Sequence, residues 1–402
     1  MSAKKILLGG VPFGRNNVGD EAILECVVKI VRQACPHAEI TVSTDDPATG
    51  AKLQVNTVEL FGFSPPYSRK RMKQVIREHD VFIWAGATGL SDYPEIPLEM
   101  LRIAQAYGKH TVVWGVGMNN KLNPFKYRLS GKKRQLCDAL TRLCFNQINW
   151  TEMVENDWVQ RTRARIRYYL SRCDLVAVRD PQSRDEVLHC GPVDPLMTGA
   201  DSALLLEPAN LTKMVLPGDV RAALKFSGHK IGICISAQGE ITQREELVRW
   251  CNRLVEKNEN RLFFIPMNPV TDASLMSTLR QQMQHPERAV VVEGRFEPSE
   301  ILAVTKKMDV VISSRLHLLI LASIVHVPFI GVSRGSKVDN FLAPFGLLPA
   351  GSVVECDFDQ LYAETERLLE EREAFEKTCQ AVRKQLITRL ECAQEKLRAV
   401  LN

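Results

Sequence analysis

An α/β fold of two Rossmann-like domains followed by C-terminal helices is predicted by three observations. Short aliphatic or β-branched runs alternate with glycine-bearing loops and helix-spaced segments from Lys5 to Val178, and again from Lys230 to Ser333. That rhythm is what a parallel sheet with right-handed crossovers requires. Between the two series, Glu207 to Val220 carries Pro208, Pro217 and Gly218 and loses its periodicity, which marks a linker. With 402 residues there is length for two cores. The expected division is a Rossmann-like domain over 1–210, a second over 211–350 and a helical tail over 351–402.

The first series opens with a strand at Lys5 to Leu8, a glycine- and asparagine-rich loop at Gly9 to Gly19, and an amphipathic helix at Asp20 to Ala34 with Ile23, Val27, Ile30 and Val31 on one face. The loop is not G-x-G-x-x-G. Asp20 and Glu21 already supply negative charge to the helix start, so a phosphate there would meet like charge, and a hydroxyl-bearing ligand fits better. Asn16, Asn17 and Asp20 are the candidates to hold it. The same residues also suit a helix cap and a tight turn. Strands are expected at Glu39 to Ser43, Asp80 to Ala85, His110 to Trp114 and Asp174 to Val178, with Gly86 to Gly89 and Gly115 to Asn120 as loops at one sheet edge.

Lys121 to Arg172 breaks this rhythm and is long enough for two or three helices. Its Lys132-Lys133-Arg134 and its Arg161, Arg163, Arg165 and Arg167 form no single helix face, the pattern of a solvated surface. The sharper reading is a surface for an anionic acceptor, such as a sugar on a diphosphate lipid carrier, with peripheral contact to a membrane. Beyond the linker, strands are expected at Lys230 to Ser236, Arg261 to Pro266 and Ala289 to Val292, with Ser236-Ala237-Gln238-Gly239 and Met267-Asn268 at strand ends. In the tail, Leu361, Leu368, Phe375 and Val382 recur every seven residues. That stripe fits a coiled-coil homodimer or, better, a helix packed across both domains.

The most informative stretch is Asp309 to Asn340. A β-branched run at Asp309 to Ser313, an apolar helix at Arg315 to Val325 and a strand at Pro328 to Ser333 form one βαβ unit. Such a helix is buried almost all round, so only its first turn, with Ser313, Ser314, Arg315 and His317, reaches a crevice. Unpaired backbone donors there favour an anion. The next loop, Arg334-Gly335-Ser336-Lys337, ends at the same carboxyl edge, where ligands of open α/β sheets bind. A lone histidine in an apolar run also has a plain core reading, and His326, far from the helix start, is taken as structural.

Ser313 to His317 at the head of an apolar helix, with Lys337 one strand later, resembles the polysaccharide pyruvyl transferase family. The Gly-Asp of the first loop, Gly86 to Gly89 with Asp92, Gly115 to Asn120, Arg179-Asp180-Pro181-Gln182-Ser183 and Gly199-Ala200-Asp201 resemble further family elements. Asp201 is equally open to a structural reading. The resemblance implies a GT-B-like fold with its two domains facing a central cleft, an acceptor domain first and a donor domain second. It also implies transfer of the enolpyruvyl part of phosphoenolpyruvate to sugar hydroxyls as a ketal, with His317 and Lys337 catalytic. Arg315, Arg179, Ser314 and Ser336 would bind the donor, and Asn16, Asn17 and Asp20 a glycan or lipid-linked acceptor. Phosphoenolpyruvate is then a co-substrate, and no further cofactor and no metal are expected. A nucleotide-sugar GT-B glycosyltransferase and a non-catalytic glycan-binding protein remain as alternatives, since fold alone does not fix function.

Composition bounds the rest. Apolar content of 45% and charged content of 25% are those of an ordinary globular chain. A formal charge of +5 is compatible with small anionic substrates and far from the basic footprint of a nucleic-acid binder. Eleven cysteines lie at scattered positions without metal-ligand spacing, so reduced thiols are expected. Neither a signal peptide's apolar region nor a run long enough to span a membrane is evident, and the expected compartment is the cytoplasm.

Overall fold

Strands bounded by Gly, Asn or Asp and apolar on both faces can only pair in a sheet covered on both sides. Val81–Ala85, buried at every position, is such a strand. In the computed structural model, which describes residues 3–63, 67–237, 242–256 and 259–402, twelve strands form two wholly parallel sheets. The first contains β1 Lys5–Gly9, β2 Glu39–Thr44, β3 Asn56–Glu59, β4 Val81–Ala85, β5 His110–Val116, β6 Leu175–Val178 and β7 Leu196–Thr198. Their order is β3-β2-β1-β4-β5-β6-β7. The second contains β8 His229–Cys234, β9 Asn260–Phe264, β10 Ala289–Val291, β11 Val310–Ser313 and β12 Phe329–Gly331, ordered β10-β9-β8-β11-β12. Each sheet reverses its winding at its first strand, so each has a switch point: β1 against β4 in one, β8 against β11 in the other. Crevices form at such points, outside the carboxyl ends of the strands.

Two strands escaped the sequence pattern for the same reason. β3, Asn-Thr-Val-Glu, and β7, Leu-Met-Thr, lie at sheet edges and are only half buried, so neither needs an apolar run. Lys121 to Arg172 resolves into three helices, Pro124–Tyr127, Gly131–Leu143 and Trp150–Leu170. Of the strand-end loop Ser236 to Gly239, Gln238 and Gly239 lie outside the described residues. All eleven cysteines are free thiols. No helix among the described residues is long and apolar enough to cross a membrane.

The two domains are docked through backbone as well as side chains. Val18 N–H donates to the Met267 carbonyl at 2.9 Å, and Ala209 N–H to that of Ser299 at 2.9 Å. The helical tail straps them together. Helix Phe358–Glu370 buries Leu361 and Leu368 against the second domain. Helix Arg372–Leu401 then begins on that domain, where Arg372 pairs with Asp309 at 2.8 Å, Phe375 packs edge-on against Phe329 at 5.1 Å and the Cys379 thiol meets the Ser323 carbonyl at 3.4 Å. It ends on the first domain, with Ala393 against Gly199 and the Leu401 carbonyl accepting from Lys4 Nζ at 2.6 Å. The seven-residue stripe is therefore occupied within the chain, and these residues form no coiled-coil seam for a second copy. Leu390, 1% exposed, sits midway along this strap. Leu390→Ala is expected to lower stability by about 2–5 kcal/mol in urea titration, the cost of a cavity that the rigid strap cannot collapse.

Candidate active site

Both switch points open onto one cavity of about 330 Å³ between the domains. On the second domain its wall is the head of helix Leu316–Ile324, reached directly from β11. Ser313 Oγ accepts from Arg315 N–H at 2.9 Å, which sets the turn, and the fully buried Ser314 hydroxyl accepts from Ser236 N–H at 3.0 Å. Arg315 is gripped in two-pronged fashion by Asp272, Nε to Oδ2 at 3.1 Å and Nη2 to Oδ1 at 2.7 Å. Asp272 is fully buried and also accepts from the backbone of Ala237 and Asn268, each at 3.0 Å. Arg315 is thus fixed in orientation while its remaining N–H groups line the cavity.

His317 lies between the domains. Its ring packs on Gly19, so closely that a Cβ there would stand 2.1 Å from Nδ1. Nε2 faces Asp201 Oδ2 at 3.6 Å. With its side chain only 15% exposed, the imidazole is largely enclosed and lines the cavity. Asp201 also stands 3.8 Å from Arg179 Nη1 and caps a short 3-10 turn through Ala203 N–H at 3.0 Å. Burial alone would raise its carboxyl, but the neighbouring imidazole and Arg179 hold it below the usual carboxylate range. Asp201 thus has the structural role of a cap and also faces His317.

Two cations complete the wall. Arg334 donates to the Ser236 hydroxyl, and Lys337 lies in the first turn of the following helix, Ser336–Leu342. Among the described residues neither has a carboxylate within ion-pairing distance. Burial pushes the Lys337 ammonium down to about 8, opposed by Asp92 and reinforced by Arg334, Arg179 and Arg315. From the first domain come Asn17, Asp20, Thr88, Asp92 and Arg179. Asn17 caps helix Val18–Ala34 through Gly19 N–H and donates to Asp20 Oδ2 at 2.8 Å. Burial raises the Asp20 carboxyl, partly offset by His317, Lys337 and Arg315. Arg179 follows β6, as its strand-end position implies, and bonds to Asp180 at 3.3 Å.

Of the nine residues singled out in sequence, seven line this cavity: Asn17, Asp20, Arg179, Ser314, Arg315, His317 and Lys337. Asn16 does not. Its positive φ of 58° turns it into a neighbouring groove of about 300 Å³ shared with Glu21 and Lys52. Ser336 is also outside; its hydroxyl meets the Asn119–Asn120 loop of the other domain, accepting from Asn120 N–H at 3.3 Å. Sequence reasoning did not select Arg334, Asp92, Asp201 or Asp272 as site residues. Arg334 had a signal, standing in the same basic loop as Lys337. Asp92 and Asp201 had the family resemblance of their loops, and Asp272 had no signal that separates it from a cap. His326 ends the helix at the far side, as its position suggested.

The fold and its cleft define a GT-B-like protein of two Rossmann-like domains. Known structures of this build include Anabaena HepE in complex with UDP-glucose, 12% identical, covering 99% of this chain and 100% of that one with a TM-score of 0.61. MnaA of S. aureus with UDP is 11% identical over 96% and 95% with a TM-score of 0.60, and the UDP-GlcNAc 2-epimerase of Methanocaldococcus jannaschii 12% over 92% and 93% with 0.56. At such identities the likeness is one of fold. Sequence comparison with curated proteins yields no match. The polysaccharide pyruvyl transferase family model matches residues 17–336, and the chain belongs to that family.

The depressed Lys337 has a consequence for stability. Its folded value, about 8, lies below the ordinary 10.5, so between those pH values the unfolded chain binds more protons and stability rises with pH. Below pH 8 the buried charge burdens the folded state. Lys337→Met is therefore expected to melt higher than the parent at pH 7, with the gap closing as pH climbs from 8 toward 10.5 in a series of thermal melts.

Proposed function

We propose that the cleft transfers the enolpyruvyl group of phosphoenolpyruvate to two hydroxyls of a glycan or glycan precursor, forming a pyruvate ketal and releasing phosphate. The observation that carries this reading is the pair of cations without carboxylate partners among the described residues, Arg334 and Lys337, beside Arg315, Arg179 and an imidazole in one small cavity. A trianion with a carboxylate at one end and a phosphate at the other matches that charge, and membership of the family supports the reaction class.

In this reading Arg315, held rigid by Asp272, and Arg179 bind the donor's carboxylate and phosphate oxygens, with Ser314 shaping the turn beneath them. His317 gives its proton to the methylene carbon, so that positive charge develops at the adjoining carbon and the first sugar hydroxyl adds there. Phosphate then leaves with its bridging oxygen, stabilised by Lys337 and Arg334. The second hydroxyl closes the ketal. The two hydroxyls lose two protons: Asp20, a buried carboxylate with raised proton affinity on the acceptor side, is the group to receive the first, which replaces the proton given up by His317, and the second is taken up by the departing phosphate. Asn17 orients Asp20, and Asp201 orients the His317 ring.

Phosphoenolpyruvate is expected to raise the melting temperature by mass action and UDP-sugars to leave it unchanged. The reverse pattern would assign the cleft to nucleotide-sugar transfer. With labelled donor and a panel of glycan acceptors, turnover should appear as phosphate release coupled to label on the sugar. Silence across the panel would leave a glycan-binding protein. His317→Ala should bind donor yet lose roughly 10²–10⁴-fold in turnover, and full turnover in that variant or in Lys337→Ala would remove the assigned roles. Gly19→Ala, which drives a methyl group into the imidazole, should reduce turnover while Gly218→Ala, whose Cβ meets nothing within 4 Å, should spare it.

A further inference from the structure

One segment of this protein carries more than the chain's whole net positive charge. Residues 121–172 hold twelve Lys and Arg against four Asp and Glu, whereas the whole chain has a formal charge of only +5; the remainder is net acidic. The same segment presents exposed hydrocarbon. Helix Gly131–Leu143 has no buried residue. It rests on helix Trp150–Leu170 through a polar and sulfur-bearing face: Thr151 Oγ1 donates to Asp138 at 2.7 Å, Trp150 N–H to the Thr141 hydroxyl at 3.0 Å and Trp150 Nε1 to Cys144 Sγ at 3.4 Å. That contact leaves a stripe at i, i+4 and i+7 facing outward, Leu136, Leu140 and Leu143, continued by Phe145 in the turn. Leu136 is 63%, Leu143 74% and Phe145 88% exposed, and Leu140, at 36%, is partly covered at the inner margin of the stripe. By helical spacing, Lys132 and Lys133 fall on either side of the stripe.

We propose that this hairpin is a docking surface for an anionic lipid bilayer, with the leucine stripe and Phe145 entering the headgroup boundary and the basic residues meeting lipid phosphates. The combination of an outward apolar stripe and flanking lysines on a helix is what holds amphipathic helices in the plane of a membrane interface. Charge selects the occupant: a second copy would bring an equally basic hairpin against this one, whereas an anionic surface complements it. The topology puts the hairpin where docking would matter. It follows the carboxyl end of β5, and helix Trp150–Leu170 then returns the chain to the opposite edge to start β6, so the hairpin stands at the edge that opens onto the cleft. A sugar carried on a lipid in that bilayer would be presented beside the cavity.

The test uses the full chain and vesicles, with no donor or acceptor present, so its outcome is independent of the proposed chemistry. The protein should sediment with vesicles of phosphatidylcholine containing phosphatidylglycerol, fail to do so with phosphatidylcholine alone, and be released as salt is raised through several hundred millimolar. The double variants Leu136→Ser with Leu143→Ser, and Lys132→Glu with Lys133→Glu, alter only solvent-facing positions. Each should keep the parent's melting temperature and weaken vesicle binding about tenfold or more. Absence of binding to the anionic vesicles at low salt, or binding unchanged in both variants, would overturn the proposal. So would a dimer in sedimentation equilibrium that the leucine variant dissociates, since the stripe would then belong to a second copy.

Discussion

Gathering cations into a small cavity is costly unless something fixes and partly balances them, and here buried aspartates do so. Asp272 has no solvent exposure and satisfies its oxygens with two backbone N–H groups and the fork of Arg315. Asp201 does the same, less tightly, for His317 and Arg179. A carboxylate removed from water in this way gains little stability for the fold as a whole. It does fix where each cationic head points, while Arg334 and Lys337, which have no such partner among the described residues, keep the cavity positive. The depressed ammonium of Lys337 is the visible cost of that arrangement.

The positions of these groups depend on two sheets being held edge to edge. His317 belongs to the second domain, yet the surfaces that confine its ring, Gly19 and Asp201, belong to the first. A shift between the domains would break both contacts. The strap of helix Arg372–Leu401, anchored at Asp309 and Ser323 on one side and at Gly199 and Lys4 on the other, resists such a shift, and the backbone bond from Val18 to Met267 pins the domains beside the cavity itself. Glycine at position 19 is required by this closeness.

The same architecture serves proteins described as UDP-sugar epimerases and glycosyltransferases. Two facing switch points supply helix starts and strand-end loops, which suit many anionic ligands. What separates one chemistry from another is the set of side chains at those ends. In this chain they are an imidazole at the head of an apolar helix and a basic loop one strand later, in a family of pyruvyl transferases.

By itself the sequence determined the parallel α/β architecture, the βαβ unit around His317 and seven of the residues that line the cavity. Those features follow from local periodicity and from the rule that a helix buried on all sides can offer only its first turn to a ligand. Edge strands such as Asn56–Glu59 were illegible because they bury too little to need an apolar pattern. Only the tertiary structure decided that Asp201 faces His317, that Asp272 holds Arg315, that a left-handed backbone turns Asn16 away, and that the hairpin's leucines face outward. Each is set by packing between segments far apart in the chain, or by a backbone angle, and residue spacing carries no record of either.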